Sequence, residues 1–294
     1  LSSVFDFIIT FIPLPIQENT VNSELLTSFE NKLSGRNKYL LFVFLLVVNL
    51  ALKSFNVGYN SLDYDESISL KDVALEFGHV KHEAEWDNNP PFYYYCVWVW
   101  NHVFDISETS SRSLSVIFSS LAIALLFLFL HKRAGLLAAL FVATSMTFHF
   151  MLLEHAQQIR SYSLVLLLIV LSTIQFFRYM EKPDLKNVLL LGLVNFLVVY
   201  THYIAGIILL VQAVMLLLYQ RKSILHHSIS WGVIALLVFI RFTIKQYLHI
   251  LGFDANGKFW LKSPDMSDLF KTLKALCNNS AIVILFLIAG MAFF

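Results

Sequence analysis

Long apolar blocks separated by short polar turns dominate this chain. The first sustained block runs from Tyr39 to about Phe55, after a polar stretch from Gln17 to Lys38. Others cover roughly 113–130, 135–152, 162–179 and 228–250. Each approaches the ~20 apolar residues that carry a helix across a bilayer's hydrocarbon layer. Between the last two, Asn187 to Gln220 is a 34-residue apolar block, too long for one helix. The polar Tyr200-Thr201-His202 divides it into an ascending and a descending helix that meet at an apex. The pattern predicts an all-α polytopic membrane protein whose transmembrane domain occupies residues 39–294, with about eight spans. Residues 1–38 stay unassigned: the first 16 are apolar but carry Asp6, Pro13 and Pro15 without a basic leader, which suits neither a signal peptide nor a span. The chain starts at Leu1 and stops inside the short apolar run Ala281 to Phe294, so it reads as a fragment whose last span is truncated.

Composition agrees with the pattern. The 294 residues are 57% hydrophobic and 14% charged, against about 45–50% and about 25% in soluble domains. A cytosolic enzyme and a disordered linker are excluded. A net charge of +1 leaves no basic surplus for a nucleic-acid partner, and Cys96 and Cys277 are too few for a disulfide framework or a zinc cluster. The partner implied is the lipid bilayer.

The position of the charges adds an orientation. Arg36 and Lys38, His131-Lys132-Arg133, Arg178 with Lys182 and Lys186, and Arg221-Lys222 fall on alternate connections, which the positive-inside rule assigns to the cytoplasm. His226-His227 read as part of the same basic flank. Residues 56–112 then form the first extracytoplasmic loop. Half of the chain's 20 acidic residues lie there, opposed only by Lys71, Lys81 and Arg112. Two helices are predicted within it. One is amphipathic, Ser67 to Phe77, capped by Ser67 and stopped by Gly78; the other, Pro91 to Phe104, carries Phe92, Tyr93, Tyr94, Tyr95, Trp98 and Trp100. Its Tyr and Trp content suits the membrane interface, as a simple anchor or in contact with substrate.

Three polar clusters stand at span ends on this outer face. Asp65-Glu66 could activate a hydroxyl as general base, since a crowded, low-dielectric site raises a carboxylate's pKa toward a useful range. The pair could also hold a divalent cation, or be an ordinary solvated loop pair. The stretch Glu154-His155-Ala156-Gln157-Gln158-Ile159-Arg160-Ser161-Tyr162, if helical, sets Glu154 and Gln158 on one face and Gln157 beside Arg160. Arg160 offers a planar fork for phosphate, or simply snorkels to water. Thr201-His202-Tyr203 places at the apex a histidine that could meet a phosphate or a metal, or be merely solvated. Convergence of all three on one face supports a site where the spans meet water. A transporter or lipid-carrier flippase also has many spans with intramembrane polar residues. The absence of a clear internal repeat and the gathering of polar residues at one face favour an enzyme.

The order of these pieces resembles the GT-C membrane glycosyltransferases, specifically the protein-mannosyltransferase-like branch (glycosyltransferase family 39 and its bacterial relatives). The matching residues are Asp65-Glu66, Asn89-Pro90-Pro91-Phe92-Tyr93-Tyr94, Val103-Phe104-Asp105-Ile106-Ser107-Glu108 running to Arg112, Gln157 to Tyr162, and Thr201-His202. Together they cover about residues 39–220. The resemblance implies a GT-C type helix bundle with a helical first extracytoplasmic loop. It implies transfer of a hexose or pentose from a polyprenyl-phosphate donor to a glycan, lipid or protein hydroxyl on the outer face, with inversion at the anomeric carbon. Asp65 would be the general base and Glu66 its catalytic neighbour, orienting substrate. Arg160, with Tyr162 and His202, would take the donor phosphate. Asn89, Tyr93, Tyr94, Glu154 and Gln158 would position substrates. The resemblance fixes no cofactor, and Glu66 and His202 could hold a divalent cation. The membrane would be the bacterial plasma membrane, with the site on its periplasmic face. Two departures stand out: Gln158 occupies a position where the family often has glutamate, and Asn89 one where histidine is common.

Overall fold

The computed structural model describes residues 37–80, 90–219 and 266–276. Among them every regular element is helical: α1 (Asn37–Ser54), α2 (Tyr64–Val73), α3 (Phe92–Phe104), α4 (Glu108–Thr147), α5 (Phe150–Ala156), α6 (Tyr162–Glu181), α7 (Leu185–Thr201), a 3-10 turn (Tyr203–Gly206), α8 (Ile207–Tyr219) and α9 (Met266–Leu276). Three of these, α1, α4 and α6, are long and apolar enough to cross a membrane. The chain is an all-α integral membrane protein. The predicted 228–250 span, the predicted truncated last span and Asn89 lie outside the described residues.

The bundle is built by reversals at polar or glycine positions. Within α4, Gly135 has φ 82 and ψ 174, a backbone state that a side chain would strain. The two arms fold back there, so that Ile123 and Phe127 pack with Leu136, Ala139 and Ala143. This reversal falls at the first residue of the predicted 135–152 span. The second arm, however, stops at Thr147, and Phe148-His149 interrupt it before α5. α1 packs on α4, α4 on α6, and α6 on α7. The 187–220 block divides at His202 as the sequence indicates, its amide still bonded to the Val198 carbonyl at 3.0 Å before the chain turns.

Polar side chains fasten these spans internally, where an unpaired polar group in lipid would be costly. Lys53 Nζ, wholly buried at the end of α1, donates to Ser119 Oγ at 2.7 Å. Asn49 Nδ2 reaches Thr147 Oγ1 at 3.0 Å. Ser172, Asn195 and Gln212 close a buried ring of hydrogen bonds of 2.5, 2.8 and 2.7 Å across α6, α7 and α8.

The loop helices correct the sequence reading in one place. α2 starts at Tyr64 and ends at Val73, three residues earlier than its predicted start and four short of its predicted end. Asp63, not Ser67, caps it: Asp63 Oδ1 accepts the Glu66 amide at 2.7 Å, and Glu66 Oε2 accepts the Asp63 amide at 3.3 Å. This reciprocal capping box wins because it satisfies two helix-end donors at once. The aromatic helix α3 matches expectation within a residue and docks on α4. Tyr93, Tyr94 and Val97 enter a core shared with Val73, Leu114, Ile159, Leu164 and Val198, which forms the floor beneath the candidate site.

Candidate functional site

The site begins with a carboxylate that is almost inaccessible. Glu66 is 3% exposed, and both its oxygens are occupied. Oε1 accepts from Arg112 Nε and from the Ile159 amide, each at 2.9 Å. Oε2 accepts from Arg112 Nη2 at 2.8 Å and from the Asp63 amide. Arg112, 2% exposed, spends its remaining N–H groups on the carbonyls of Val57 (3.0 Å), Asn60 (2.8 Å) and Ser61 (3.4 Å). All five guanidinium donors are therefore used. The 56–61 loop also lies close against the start of α4, where a Cβ at Gly58 would come within 2.6 Å of Thr109 Oγ1. Burial alone would raise the Glu66 carboxyl's pKa, but the bonds from Arg112, Ile159 and Asp63 outweigh it and hold the group below its ordinary value.

This knot joins three segments distant in sequence and fixes what lies beside each of them. Asp65 precedes Glu66 and Arg160 follows Ile159, so the Glu66–Ile159 bond brings Asp65 and Arg160 together. Arg160 Nη2 lies 3.3 Å from Asp65 Oδ2. This second pair is open: Asp65 is 58% exposed and Arg160 16%. The crowded surroundings expected around Asp65 are therefore not formed by the described residues. Burial opposes the charge on Arg160, but Tyr94, Asp65 and Tyr162 more than compensate and raise its pKa. Arg160 stays cationic under any working condition.

The aromatic and imidazole side chains complete the surface. The Arg160 guanidinium stands 6.0 Å from the centre of the Tyr162 ring, whose other neighbours are His155 at 4.5 Å and His202 at 6.0 Å. His202 is half-buried; that burial and the nearby Arg160 charge lower its pKa, favouring the neutral ring at pH 7.

The clusters that carry Asp65, Arg160, Tyr162 and His202 thus meet at one end of the bundle. Other expected members are placed differently. Tyr93 is 1% exposed and bonds Ser115 at 3.2 Å, so it packs the core instead of facing a substrate. Tyr94 is also buried, although close enough to act electrostatically on Arg160. The helix predicted through Arg160 ends at Ala156, so Glu154 and Gln158 share no helical face. Glu154 is exposed, and Gln158 Oε1 instead pairs with His155 Nδ1 at 2.9 Å.

The sequence reading gives two contributors no role of their own in the site. Gln157 Nε2 donates to the carbonyls of Lys53 (2.9 Å) and Phe55 (2.8 Å), acceptors that the end of α1 cannot satisfy itself. Arg112 reads in the sequence as a counter-charge and as the end of a stretch that carries the resemblance, without a site role; its position four residues into a capped helix, among serines, is the available signal. Among the described residues, no three His, Cys, Asp or Glu side chains gather where a metal ion could sit.

A family model described as dolichyl-phosphate-mannose-protein mannosyltransferase matches residues 88–245, more than half of the chain. The match includes Arg112, Arg160, Tyr162 and His202 and begins after Asp65-Glu66. No curated protein and no solved structure matches the chain.

Proposed function

The chain belongs to the dolichyl-phosphate-mannose-protein mannosyltransferase family, hence to the membrane glycosyltransferases, and from that premise we propose that it moves a sugar from a polyprenyl-phosphate donor to an acceptor hydroxyl. The observation that carries this reading is the 3.3 Å approach of Asp65 to Arg160, an exposed base beside a cation that is mostly buried but still reaches the surface.

Such a pair suits direct displacement at an anomeric carbon. Asp65 takes the proton as the acceptor oxygen attacks C1. The bond from C1 to the phosphate oxygen breaks with inversion, and negative charge grows on the departing lipid phosphate. Arg160 stabilises that charge, and its planar fork suits phosphate oxygens. The donor phosphate competes with Asp65 for Arg160, so donor binding frees the carboxylate to act on the acceptor. Tyr162 and a neutral His202 offer hydrogen bonds to donor oxygens from the flank.

Glu66 acts as a positioning residue, since its oxygens are already occupied. The same occupation leaves Asp65 as the accessible carboxylate of the pair, a poor donor set for a divalent cation. The basic connections at the opposite end of the bundle support an extracytoplasmic site.

The test uses the full chain in proteoliposomes with a panel of polyprenyl-phosphate sugars, with product anomers assigned by NMR. Arg160→Ala should raise donor KM by about 10- to 100-fold and leave acceptor KM nearly unchanged. Equal effects on both substrates would make Arg160 structural. Cysteine probes at Glu76 and Lys182 should label from opposite sides of the membrane; labelling of both from one side overturns the orientation.

A further inference from the structure

The end of the bundle away from Asp65 holds a cavity that sugar transfer does not use. It has a volume of about 530 Å³ and lies between the start of α1, the reversal of α4 and the end of α6. Lys38, Lys132, Arg133 and Arg178 line it, with Glu181 as the one carboxylate there among the described residues. The charges are unevenly matched. Arg133 is held by Glu181 at 2.5 Å, with its guanidinium 4.9 Å from the Phe177 ring centre. Lys38, Lys132 and Arg178 have no carboxylate within ion-pair distance among the described residues. The His131 Nδ1 atom, also at the cavity, is buried without a hydrogen-bond partner among them.

An ordinary basic flank spreads its cations into water. Here three helices bring four cations to one hollow, three of them without a counter-ion among the described residues, so the hollow is complementary to a polyanionic or phosphodiester group. The remaining lining sets the ligand class. Leu125, Leu128 and Phe129 line the same cavity from the two turns of α4 that precede the basic residues, facing Ile174 of α6. A soluble phosphate would leave that apolar wall wet; a lipid would cover it. Basic pockets between spans are a known means of binding anionic headgroups.

We propose that this cavity is a binding site for an anionic phospholipid. Lys38, Lys132 and Arg178 engage its phosphate, Arg133 completes the positive rim, and the acyl chains lie against Leu128 and Phe129.

The experiment titrates the full chain in detergent with phosphatidylglycerol or phosphatidylcholine and reads bound lipid by native mass spectrometry. Phosphatidylglycerol should bind at least about 10-fold more tightly than phosphatidylcholine. Lys132→Gln combined with Arg178→Gln should weaken phosphatidylglycerol binding by about 10- to 30-fold. Lys182→Gln with Lys186→Gln removes two charges outside the lining and should change it by no more than about twofold. The charge-keeping pair Lys132→Arg and Arg178→Lys should retain binding, which guards against a folding artefact in the neutral pair. Equal losses in the two neutral pairs, or loss in the charge-keeping pair, would overturn the site. Displacement of the lipid by millimolar inorganic phosphate would also overturn it, because the ligand would then be a free anion.

Discussion

Asp65 and Glu66 are chemically alike and adjacent, and each meets an arginine, yet burial gives the two pairs different capacities. Glu66 and Arg112 are 3% and 2% exposed and hydrogen-bonded at every available donor. Asp65 and Arg160 are 58% and 16% exposed and share one long contact. A buried pair with no spare donors can only hold its surroundings in place, because releasing either partner leaves a charge in a low-dielectric interior. An open pair can exchange one partner for a substrate at little cost. The closed pair therefore fixes the two backbone segments that carry the open pair, since Asp65 adjoins Glu66 and Arg160 adjoins Ile159.

The largest expected effect comes from breaking the closed pair. Glu66→Ala strands Arg112 and should destabilise the protein by about 3–5 kcal/mol, read as a lowered thermal midpoint of the full chain in detergent. A loss below about 1 kcal/mol would remove the contrast between the pairs, since that is the range of an exposed ion pair.

Acid should act on the same pair more gently. Glu66 has its pKa lowered in the folded state, so the unfolded chain binds the proton more readily. The stabilisation is complete above the unfolded value of about 4.3 and is lost as pH falls through the folded value. The thermal midpoint should drop on acidification through this window, and Glu66→Gln should flatten the drop; an unchanged slope in that variant would show that other groups cause it.

Gln157→Ala tests how the end of α1 is tied to the site. Removing its two hydrogen bonds should cost about 1 kcal/mol and reduce transfer modestly through displacement of the Ile159–Arg160 segment. Arg160→Ala should have the smallest effect on stability, under about 1 kcal/mol, with its consequence confined to the donor. If its midpoint falls as far as that of Glu66→Ala, the two pairs do not differ in kind.

The fold was largely legible because apolar block length and polar interruption determine where a chain can cross a membrane and where it must turn. Gly135 and His202 illustrate this: both lie at breaks that the hydropathy pattern marked. The start of α2 was also legible in principle, since Asp63 stands three residues before Glu66 as a capping box requires, but the later Ser67 is an equally good cap by type. The site was legible as three clusters on one face and not as a geometry. Nothing local in Glu66 distinguishes it from Asp65; burial against Arg112 and Ile159, residues 46 and 93 positions away, does so. The burial of Tyr93 was not legible for the same reason: an aromatic run does not reveal which rings its helix turns inward.

The most direct test of the account is the turnover of Asp65→Asn in the full, membrane-inserted chain, with the polyprenyl-phosphate sugar on which the unmodified protein is most active. The substitution keeps size and polarity at an exposed position and removes only the base. The account predicts a fall in kcat of about 100- to 10,000-fold, with a thermal midpoint close to that of the unmodified protein. Unchanged turnover in a normally folded Asp65→Asn protein would contradict it.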